Sequence, residues 1–465
     1  MSGFTNIHTN RRVKREKILK IAKFKSLPQM NTSISQLQKF RINAYNCLGF
    51  AKDATFDLLD AILTTRNAHS LADLSLSPLF RRQWSSVYEC LQDCRPNSNK
   101  LMELYLEQIP GDESEYITVG IDHTYSARPD SPTLKDRGYH HQPSASGKVT
   151  IGQGYSTIAW IPEEKGSWAL PLRHERITSF EAPIGKAAWQ LRKVTKSLNK
   201  PVLALLDSEY GNASWVNQTV DIEADCLIRI RSNCCLWAEP GKYSGRGRPR
   251  KHGAKFKLND QSTWWEACET VKVQDPKLGE IKLQQWSQLH FRNSPSVCMN
   301  LILVERIDST KKGSLQKPLW LVFIGQKMPS IEKIWSKYLR RFAVDHWYRF
   351  IKQRLHWTLP ALSTPHQCER WSDLMPLMTW QLWLAKDIVQ EHHLPWQKSQ
   401  SNLTPGRVAQ SMLGLLMEIG TPAQSPKPRG KSTGWKTGQK RNKRIRYPVV
   451  KKRKTVAKKG KNKKR

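Results

Sequence analysis

A polar stripe within residues 334–355 holds the first candidates for chemistry, namely Tyr338, Arg341, Asp345 and Lys352. The segment contains neither Gly nor Pro, and its residues favour a helix of roughly six turns. At about 100° per residue the four side chains fall on one stripe that has apolar residues on both flanks. Such a stripe should face the interior or a cleft, where Arg, Asp and Lys need charged partners, a metal ion or phosphate.

A more ordinary interpretation of the same helix is a surface salt bridge between Arg341 and Asp345, because the two residues are spaced i, i+4. Arg340 and Arg354 mark the predicted solvent face of this helix. Features elsewhere in the chain favour the buried stripe over the surface pair.

Two further aspartates, Asp122 and Asp207, each follow an apolar run that predicts a strand. A side chain at that place, where the chain leaves a sheet, can converge with others on a ligand. An Asp that follows a strand is also a common turn or cap residue. Asp122 and Asp207 are therefore candidates for a functional site only in combination with Asp345. Glu209 is an alternative carboxylate, which we expect in the turn that leaves the second strand.

The spacing of Tyr338, Arg341, Asp345 and Lys352 resembles the Tyr-Arg-Glu-Lys pattern of DDE transposases from bacterial insertion sequences. The segments GIDHT at 120–124 and LDSEYG at 206–211 resemble the first and second acid motifs of the same family. The chain departs from the pattern at Asp345, where Glu is usual. Both residues ligate a hard divalent cation through oxygen.

The resemblance implies a catalytic site. Asp122, Asp207 and Asp345 would be the catalytic and metal-binding residues, holding two Mg²⁺ ions, with Mn²⁺ as a substitute. Tyr338, Arg341 and Lys352 would contact DNA near the scissile phosphate. No GxxxxGK[ST] loop is present in the sequence, so nucleotide hydrolysis is not indicated.

The elements that would carry these residues form an α/β pattern, with strands and a helix in an order that suggests a mixed sheet covered by helices. Gly152 and Gly154 predict a bend between two short strands, and Pro376 is expected in the first turn of a helix. With the resemblance, we predict an RNase H-like fold. Its parts are a helical region at 1–110 that is a candidate for DNA binding, the first part of the core at 111–239, a β-rich insertion with a basic loop at 240–325, the last part of the core at 326–397, and a disordered basic tail at 398–465.

The charge of the chain predicts a polyanionic partner, since 76 Lys and Arg face 39 Asp and Glu for a net charge of +37. Residues 421–465 contain 19 Lys or Arg and neither Asp nor Glu, so this tail should be disordered until it meets an anion. A basic loop near residue 247 resembles an AT-hook and supplies four candidates for DNA binding, which are Arg246, Arg248, Arg250 and Lys251.

We therefore predict a DNA transposase that cleaves phosphodiesters with metal ions and transfers strands at the ends of an insertion sequence. It would act on double-stranded DNA as a homodimer, in the bacterial cytoplasm on the nucleoid, and no apolar run is long enough to predict a membrane span. Nine scattered Cys predict reduced thiols. The alternatives are a non-catalytic DNA-binding protein derived from a transposase, and a basic RNA-binding protein whose carboxylates are structural.

Overall fold

The computed structural model describes residues 27–111, 116–141, 149–162, 166–243, 245, 247–276, 278–307, 318–326, 328–400, 402–428, 434, 436–440 and 442–451. The basic residues of 11–20 and the candidate Arg246 lie outside these ranges. Of the described helices, none is both long enough and apolar enough to cross a membrane.

The described residues form twelve strands: β1 (Ile117–Ala127), β2 (Gly138–His141), β3 (Val149–Trp160), β4 (Leu170–Ile177), β5 (Val202–Leu206), β6 (Asp225–Ile230), β7 (Cys235–Ala238), β8 (Lys255–Lys257), β9 (Glu269–Asp275), β10 (Gly279–Phe291), β11 (Ser294–Arg306) and β12 (Leu319–Ile324). In the same part of the chain the α-helices are α1 (Leu27–Cys47), α2 (Lys52–Thr64), α3 (Ser85–Asp93), α4 (Ser98–Leu106), α5 (Pro183–Thr195), α6 (Ala213–Thr219), α7 (Ile331–Leu339), α8 (Phe342–Gln353), α9 (Pro365–Ala385) and α10 (Pro405–Ile419).

The centre of the molecule is a mixed sheet in which β4, β3, β1, β5 and β6 are successive neighbours. β1 and β4 both run antiparallel to β3, whereas β5 is parallel to β1 and β6 is parallel to β5. All five residues of β5 are buried and apolar, as expected for a parallel strand covered on both faces. This arrangement of strands and flanking helices confirms the predicted RNase H-like α/β fold.

The region between the second and third acids extends this sheet rather than forming a separate layer. β12 pairs antiparallel with β6, and β11, β10, β7 and β8 continue outward from it. Aromatic rings in mutual contact fill the core of the insertion, and their members are Phe256, Trp264, Trp265, Trp286 and Trp320. The residues between Asp207 and Asp345 therefore form additional strands of the same sheet.

The N-terminal helices are held to the core by a buried ion pair. Arg41 of α1 donates to both carboxylate oxygens of Asp60 in α2, at 2.9 and 2.8 Å, and to Gln381 of α9 at 2.6 Å. Arg41 and Asp60 are almost completely buried, and removing one partner of such a pair costs about 3–5 kcal/mol. The described part of 1–110 is therefore fixed against α9, and its role in DNA binding stays a prediction.

The helix predicted over 334–355 is in fact two helices. α7 ends at Leu339 and α8 begins at Phe342, because the amides of Arg340, Arg341 and Ala343 donate to carbonyls three residues back. Bonds of this type tighten the turn and offset the second helix from the first. The prediction that Arg340 and Arg354 face solvent is also wrong: Arg340 donates to the carbonyl oxygen of Ile161, and Arg354 donates only to backbone carbonyls.

Three other sequence predictions need correction. β3 is continuous through Gly152 and Gly154, because its pairing with β1 and β2 spans both positions. Pro376 lies inside α9, whose first turn instead begins at Pro365. The expectation of disorder is wrong for α10, whose apolar face packs into the core through residues such as Met412.

The described end of the chain touches the sheet beside β2. The amides of Tyr447 and Val450 donate to the carbonyls of Pro132 and Arg137, at 2.8 and 2.7 Å. Val450 also forms a parallel bridge with Gly138 of β2. Part of the basic tail is therefore attached to the protein itself.

Candidate active site

The register of β1 and β5 brings Asp122 and Asp207 together. Ile121 and Leu206 are partners in this parallel pair, and the next residue along each strand is an aspartate. Neighbouring strands lie about 4.8 Å apart, so the two aspartates are adjacent at the same edge of the parallel pair. The prediction that Asp122 follows its strand is wrong: Asp122 lies within β1, because β1 continues to Ala127 by pairing with β3.

Gly120 allows α8 to approach this edge. A Cβ atom at Gly120 would lie 2.5 Å from Cγ2 of Val344 and 3.0 Å from Cδ1 of Ile161, too close for any side chain. α8 buries Ala343, Val344 and Tyr348 on the face that meets the sheet. The contact between Gly120 and Val344 thus holds Asp345, the next residue of α8, near the two strand aspartates.

Arg341 bridges two of the acids, Asp122 and Asp345. Its Nη2 donates to Oδ2 of Asp345 at 3.1 Å, and its Nη1 lies 3.6 Å from Oδ2 of Asp122. The side chain of Arg341 is 6% exposed, that of Asp122 is 15% exposed and that of Asp345 is 43% exposed. The i, i+4 pair therefore forms, but its arginine is buried between two acids, so the simple surface salt bridge does not describe it.

The two strand aspartates have opposite pKa shifts. Burial raises the pKa of Asp122 to about 7, with a smaller lowering by the charge of Arg341 and further raising by Asp345 and Asp207. Burial would also raise the pKa of Asp207, but Arg341 and the hydrogen bonds from Ser208 outweigh it and hold this pKa below its ordinary value. Near neutral pH, Asp207 is ionised while Asp122 retains part of its proton.

A hydrogen-bonded chain behind the site joins α8 to β1 and β3. The hydroxyl of Tyr348 donates to the carbonyl oxygen of Asp122 at 2.9 Å and shares a hydrogen bond of 2.8 Å with Thr157. Oγ1 of Thr157 in turn pairs with Nδ1 of the buried His174 at 2.8 Å. Tyr348 is a site residue that its sequence pattern does not reveal, although its spacing of i+3 from Asp345 places both residues on neighbouring faces of one helix.

His123 and Glu209 form the outer edge of the site. Nε2 of His123 lies 3.2 Å from a carboxylate oxygen of Glu209, and its Nδ1 pairs with the hydroxyl of Tyr210 at 3.2 Å. Glu209 lies in the turn after β5, as expected, and its side chain is 55% exposed. His123 was not singled out from the sequence, and the signal that could have found it is its place directly after Asp122.

The predicted DNA-contacting residues occupy different environments. Tyr338 is 2% exposed, and burial raises its pKa to about 12, so it supports Arg341 from within the protein. Lys352 donates to Thr124 at 2.8 Å. The loop residues Arg248, Arg250 and Lys251 are exposed and far along the chain from the acids. Their contact with DNA stays a prediction.

The donor set around Arg341 suits a hard divalent cation in its chemistry, because all three side chains offer carboxylate oxygens. Three acids also face one guanidinium, which leaves an excess of negative charge. Within the described residues, however, no three His, Cys, Asp or Glu side chains are grouped closely enough to hold a metal ion. For Asp345 to share a cation with Asp122, its bond to Arg341 has to open.

The comparison with known protein families agrees with this arrangement. The family model described as DDE superfamily endonuclease matches residues 43–290, more than half of the chain. The chain belongs to the DDE superfamily of endonucleases. The matched region contains Asp122 and Asp207 and ends before Asp345. No curated protein matches the chain.

Membership makes this chain a DDE endonuclease of the transposase type, in a superfamily that acts on DNA and generally uses divalent metals. The match begins inside α1, so the DDE endonuclease region includes most of the N-terminal helical layer together with β1 to β9 and nearly all of β10. Arg41, which fixes those helices to α9, lies just before the matched region.

Proposed function

We propose that this DDE endonuclease is the transposase of a bacterial insertion sequence. It would cleave phosphodiesters at the ends of the element and transfer the resulting strands, as a homodimer on double-stranded DNA in the cytoplasm. The observation that carries the proposal is the single guanidinium of Arg341, which contacts Asp122 and Asp345 while Asp207 stands beside Asp122. A structural salt bridge would need only one of these acids.

In this proposal Asp122, Asp207 and Asp345 supply the oxygen ligands for the metal ions. When bound, two Mg²⁺ ions, or Mn²⁺ in their place, would activate a water or a 3′-hydroxyl and stabilise the leaving oxygen. Asp122 gives up the proton that its raised pKa retains near neutrality. Arg341, released from Asp345, can then donate to an oxygen of the scissile phosphate, and Lys352 adds a second positive charge.

The bond changes follow from this arrangement. The attacking water oxygen bonds to phosphorus in line with the departing O3′, the P–O3′ bond breaks, and a free 3′-hydroxyl remains. In strand transfer that hydroxyl attacks a phosphodiester of the target DNA in the same geometry. Each reaction exchanges one P–O bond for another, so no external energy source is required.

The alternative is a DNA-binding protein that descends from a transposase but no longer cuts. One observation favours it, because Asp345 stands where Glu is usual and its carboxylate is engaged by Arg341. Both proteins would bind DNA, so only a cleavage assay separates them.

The test is nicking of a duplex that carries the element's ends, in Mg²⁺ or Mn²⁺. Asp122→Asn and Asp207→Asn should each slow cleavage by about a hundredfold or more, equivalent to about 2.7 kcal/mol of transition-state stabilisation. Glu209→Gln is the matched control, since it removes a neighbouring carboxylate that is 55% exposed and paired with His123. An inert parent protein, or an Asp207→Asn variant as active as the parent, would contradict the proposal.

A further inference from the structure

A pocket of about 500 Å³ opens between α8, the turn after α2 and the first turn of α10. α8 lines it with His346, Arg349 and Gln353. Each of the three comes directly after a residue on the helix face that meets the active site. Those preceding residues are Asp345, Tyr348 and Lys352, in the same order. The same helix therefore separates two polar environments, and only one of them contains the aspartates.

Three arginines give this pocket a positive charge that has no acidic counterpart. Arg66, Arg349 and Arg354 line it, and neither Asp nor Glu is among the lining residues. The fourth arginine, Arg407, is neutralised by Glu391. In the part of the chain that the structure describes, no carboxylate pairs with any of the first three.

Arg354 is the most confined of the three charges. Its guanidinium donates to four backbone carbonyls, those of Ile62, Leu63, Thr65 and Ala409. These neutral acceptors fix the side chain but leave its charge in place. Burial, together with the nearby charge of Arg66, lowers the pKa of Arg354 to about 10. In the free protein these positive charges therefore repel one another at close range, and a bound anion would reduce the repulsion.

The N-terminus of α10 adds to the same field. Thr404 and Pro405 begin this 15-residue helix, and the Thr404 side chain does not cap it. Gly406 also lines the pocket, and a Cβ atom built there would meet nothing within 4 Å. The positive end of the helix dipole therefore opens toward the arginines with room for a ligand.

We propose that this pocket binds a phosphate of the DNA backbone, as an anchoring contact separate from the active site. The inference rests on the proposed function in that it takes DNA as the partner. Guanidinium groups match phosphate oxygens in geometry as well as in charge, and such contacts position a duplex without reading its sequence. Because α8 also carries Asp345, a phosphate held here fixes the duplex on the helix that bears the third acid.

The test measures duplex binding by fluorescence anisotropy from 50 to 300 mM salt, without divalent metal. Arg66→Gln/Arg349→Gln should weaken binding about tenfold and reduce the slope of log affinity against log salt by about one, for the single phosphate contact that is lost. Lys196→Gln/Arg231→Gln is the matched control, since it removes two exposed charges that do not line the pocket. A slope equal to that of the control would overturn the proposal.

A second variant keeps the test valid if the double variant folds poorly. Gly406→Asp places a carboxylate in open space at a helix N-terminus, where it stabilises the helix and competes with the phosphate. We expect a higher melting temperature together with weaker DNA binding. Unchanged DNA binding in this variant would contradict the proposal.

Inorganic phosphate distinguishes the two sources of the anion. If 10 mM phosphate raises the melting temperature of the parent but not of Arg66→Gln/Arg349→Gln, while DNA affinity is equal in both, the pocket binds free phosphate and the DNA contact is wrong. If the parent protein fails to cut DNA, only the transposase proposal is contradicted. The binding assay contains no metal and would still decide the role of the pocket.

Discussion

Arg341 is the counter-charge of the candidate site. Burial lowers the pKa of Arg341, but Tyr338 and, after it, the charges of Asp345, Asp122 and Asp207 outweigh burial and raise this pKa above its ordinary value. A buried arginine among carboxylates keeps the acids folded into the site when no other cation is present. The same contact occupies a carboxylate oxygen of Asp345, so Arg341 has to release it before the three acids can share a cation.

The grouping of these acids could be predicted in part from the sequence, because residue type and spacing selected three aspartates that the structure places around Arg341. Their catalytic role stays a prediction. The orientation of the Arg341 side chain could not be predicted, since helical spacing alone allows both a surface ion pair and a buried bridge between acids. The parallel pairing of Ile121 with Leu206 decides between them, by bringing Asp122 beside Asp207. That pairing depends on contacts between residues 85 positions apart, which local patterns do not contain.

His174 should make folding stability depend on pH. Burial lowers its pKa to about 3, from an ordinary value of 6.5. The unfolded chain therefore binds a proton below pH 6.5 that the folded protein refuses, and stability is lost as pH falls through this window. The expected loss is about 1.4 kcal/mol per pH unit below 6.5.

Denaturant midpoints at pH 7.5, 6.0 and 5.0 measure this effect in the parent and in His174→Gln. The variant should be less stable at pH 7.5, because a buried ring is lost, but its stability should fall less steeply on acidification. Equal slopes in the two proteins would show that His174 does not remain neutral in the folded state.

At the scale of elements, the close approach of α8 to β1 determines where the third acid lies. Sequence analysis identified both elements but extended the helix through residues 340–341, where the structure breaks it. Helical periodicity persists across this point, so no residue pattern reveals the break. At the break, amides donate to carbonyls three residues back, and the side chain of Arg340 reaches the carbonyl oxygen of Ile161 next to the sheet.

Gly120→Ala should separate α8 from β1. The added Cβ would lie 2.5 Å from Val344, and overpacking of this kind typically costs about 1–3 kcal/mol. We expect a lower melting temperature and slower DNA cleavage, because Asp345 is displaced from the strand aspartates. Both quantities can be measured on the same preparation.

The compensating variant is Gly120→Ala/Val344→Ala, which removes the atom that the new methyl group meets. It should recover part of the lost stability and part of the lost cleavage. If the double variant is as slow as Gly120→Ala while its stability is restored, the approach of α8 does not control the position of the third acid.

At the scale of the whole molecule, positive charge is distributed over regions that the fold keeps apart. The basic loop carries Arg248, Arg250 and Lys251 on an exposed segment of the insertion, whereas Tyr447 and Val450 of the tail contact the chain at and just before β2. Composition predicted a polyanionic partner correctly in kind, since the superfamily acts on DNA. It could not predict which charges are fixed to the protein, because that depends on backbone pairing such as Gly138 with Val450.

Truncation after residue 451 should weaken DNA binding without changing stability. It removes nine Lys or Arg but retains the contacts of Tyr447 and Val450 with Pro132 and Arg137. Fewer counterions are then released from DNA, so the salt dependence of binding should flatten. Truncation after residue 420 removes all 19 basic residues of 421–465 and should flatten it further.

A chain of full length in which the basic residues after 451 are changed to Ser and Asn is the control for length. It should behave like the truncated protein. A salt dependence identical to that of the parent would mean that this part of the tail does not touch DNA.

The most direct test of the central claim is single-turnover cleavage of end-containing DNA by Asp345→Asn and Asp345→Glu, beside the parent. Asp345→Asn keeps the size of the side chain but removes the charge that a hard cation requires, so cleavage should fall by about a hundredfold or more while DNA binding is retained. Asp345→Glu moves the same oxygens by about one bond length and should stay within roughly tenfold of the parent. Cleavage by Asp345→Asn at the parental rate would show that another carboxylate serves the site, and a parent inert in Mg²⁺ and Mn²⁺ beside an active Asp345→Glu would show that this chain has lost the activity of its family.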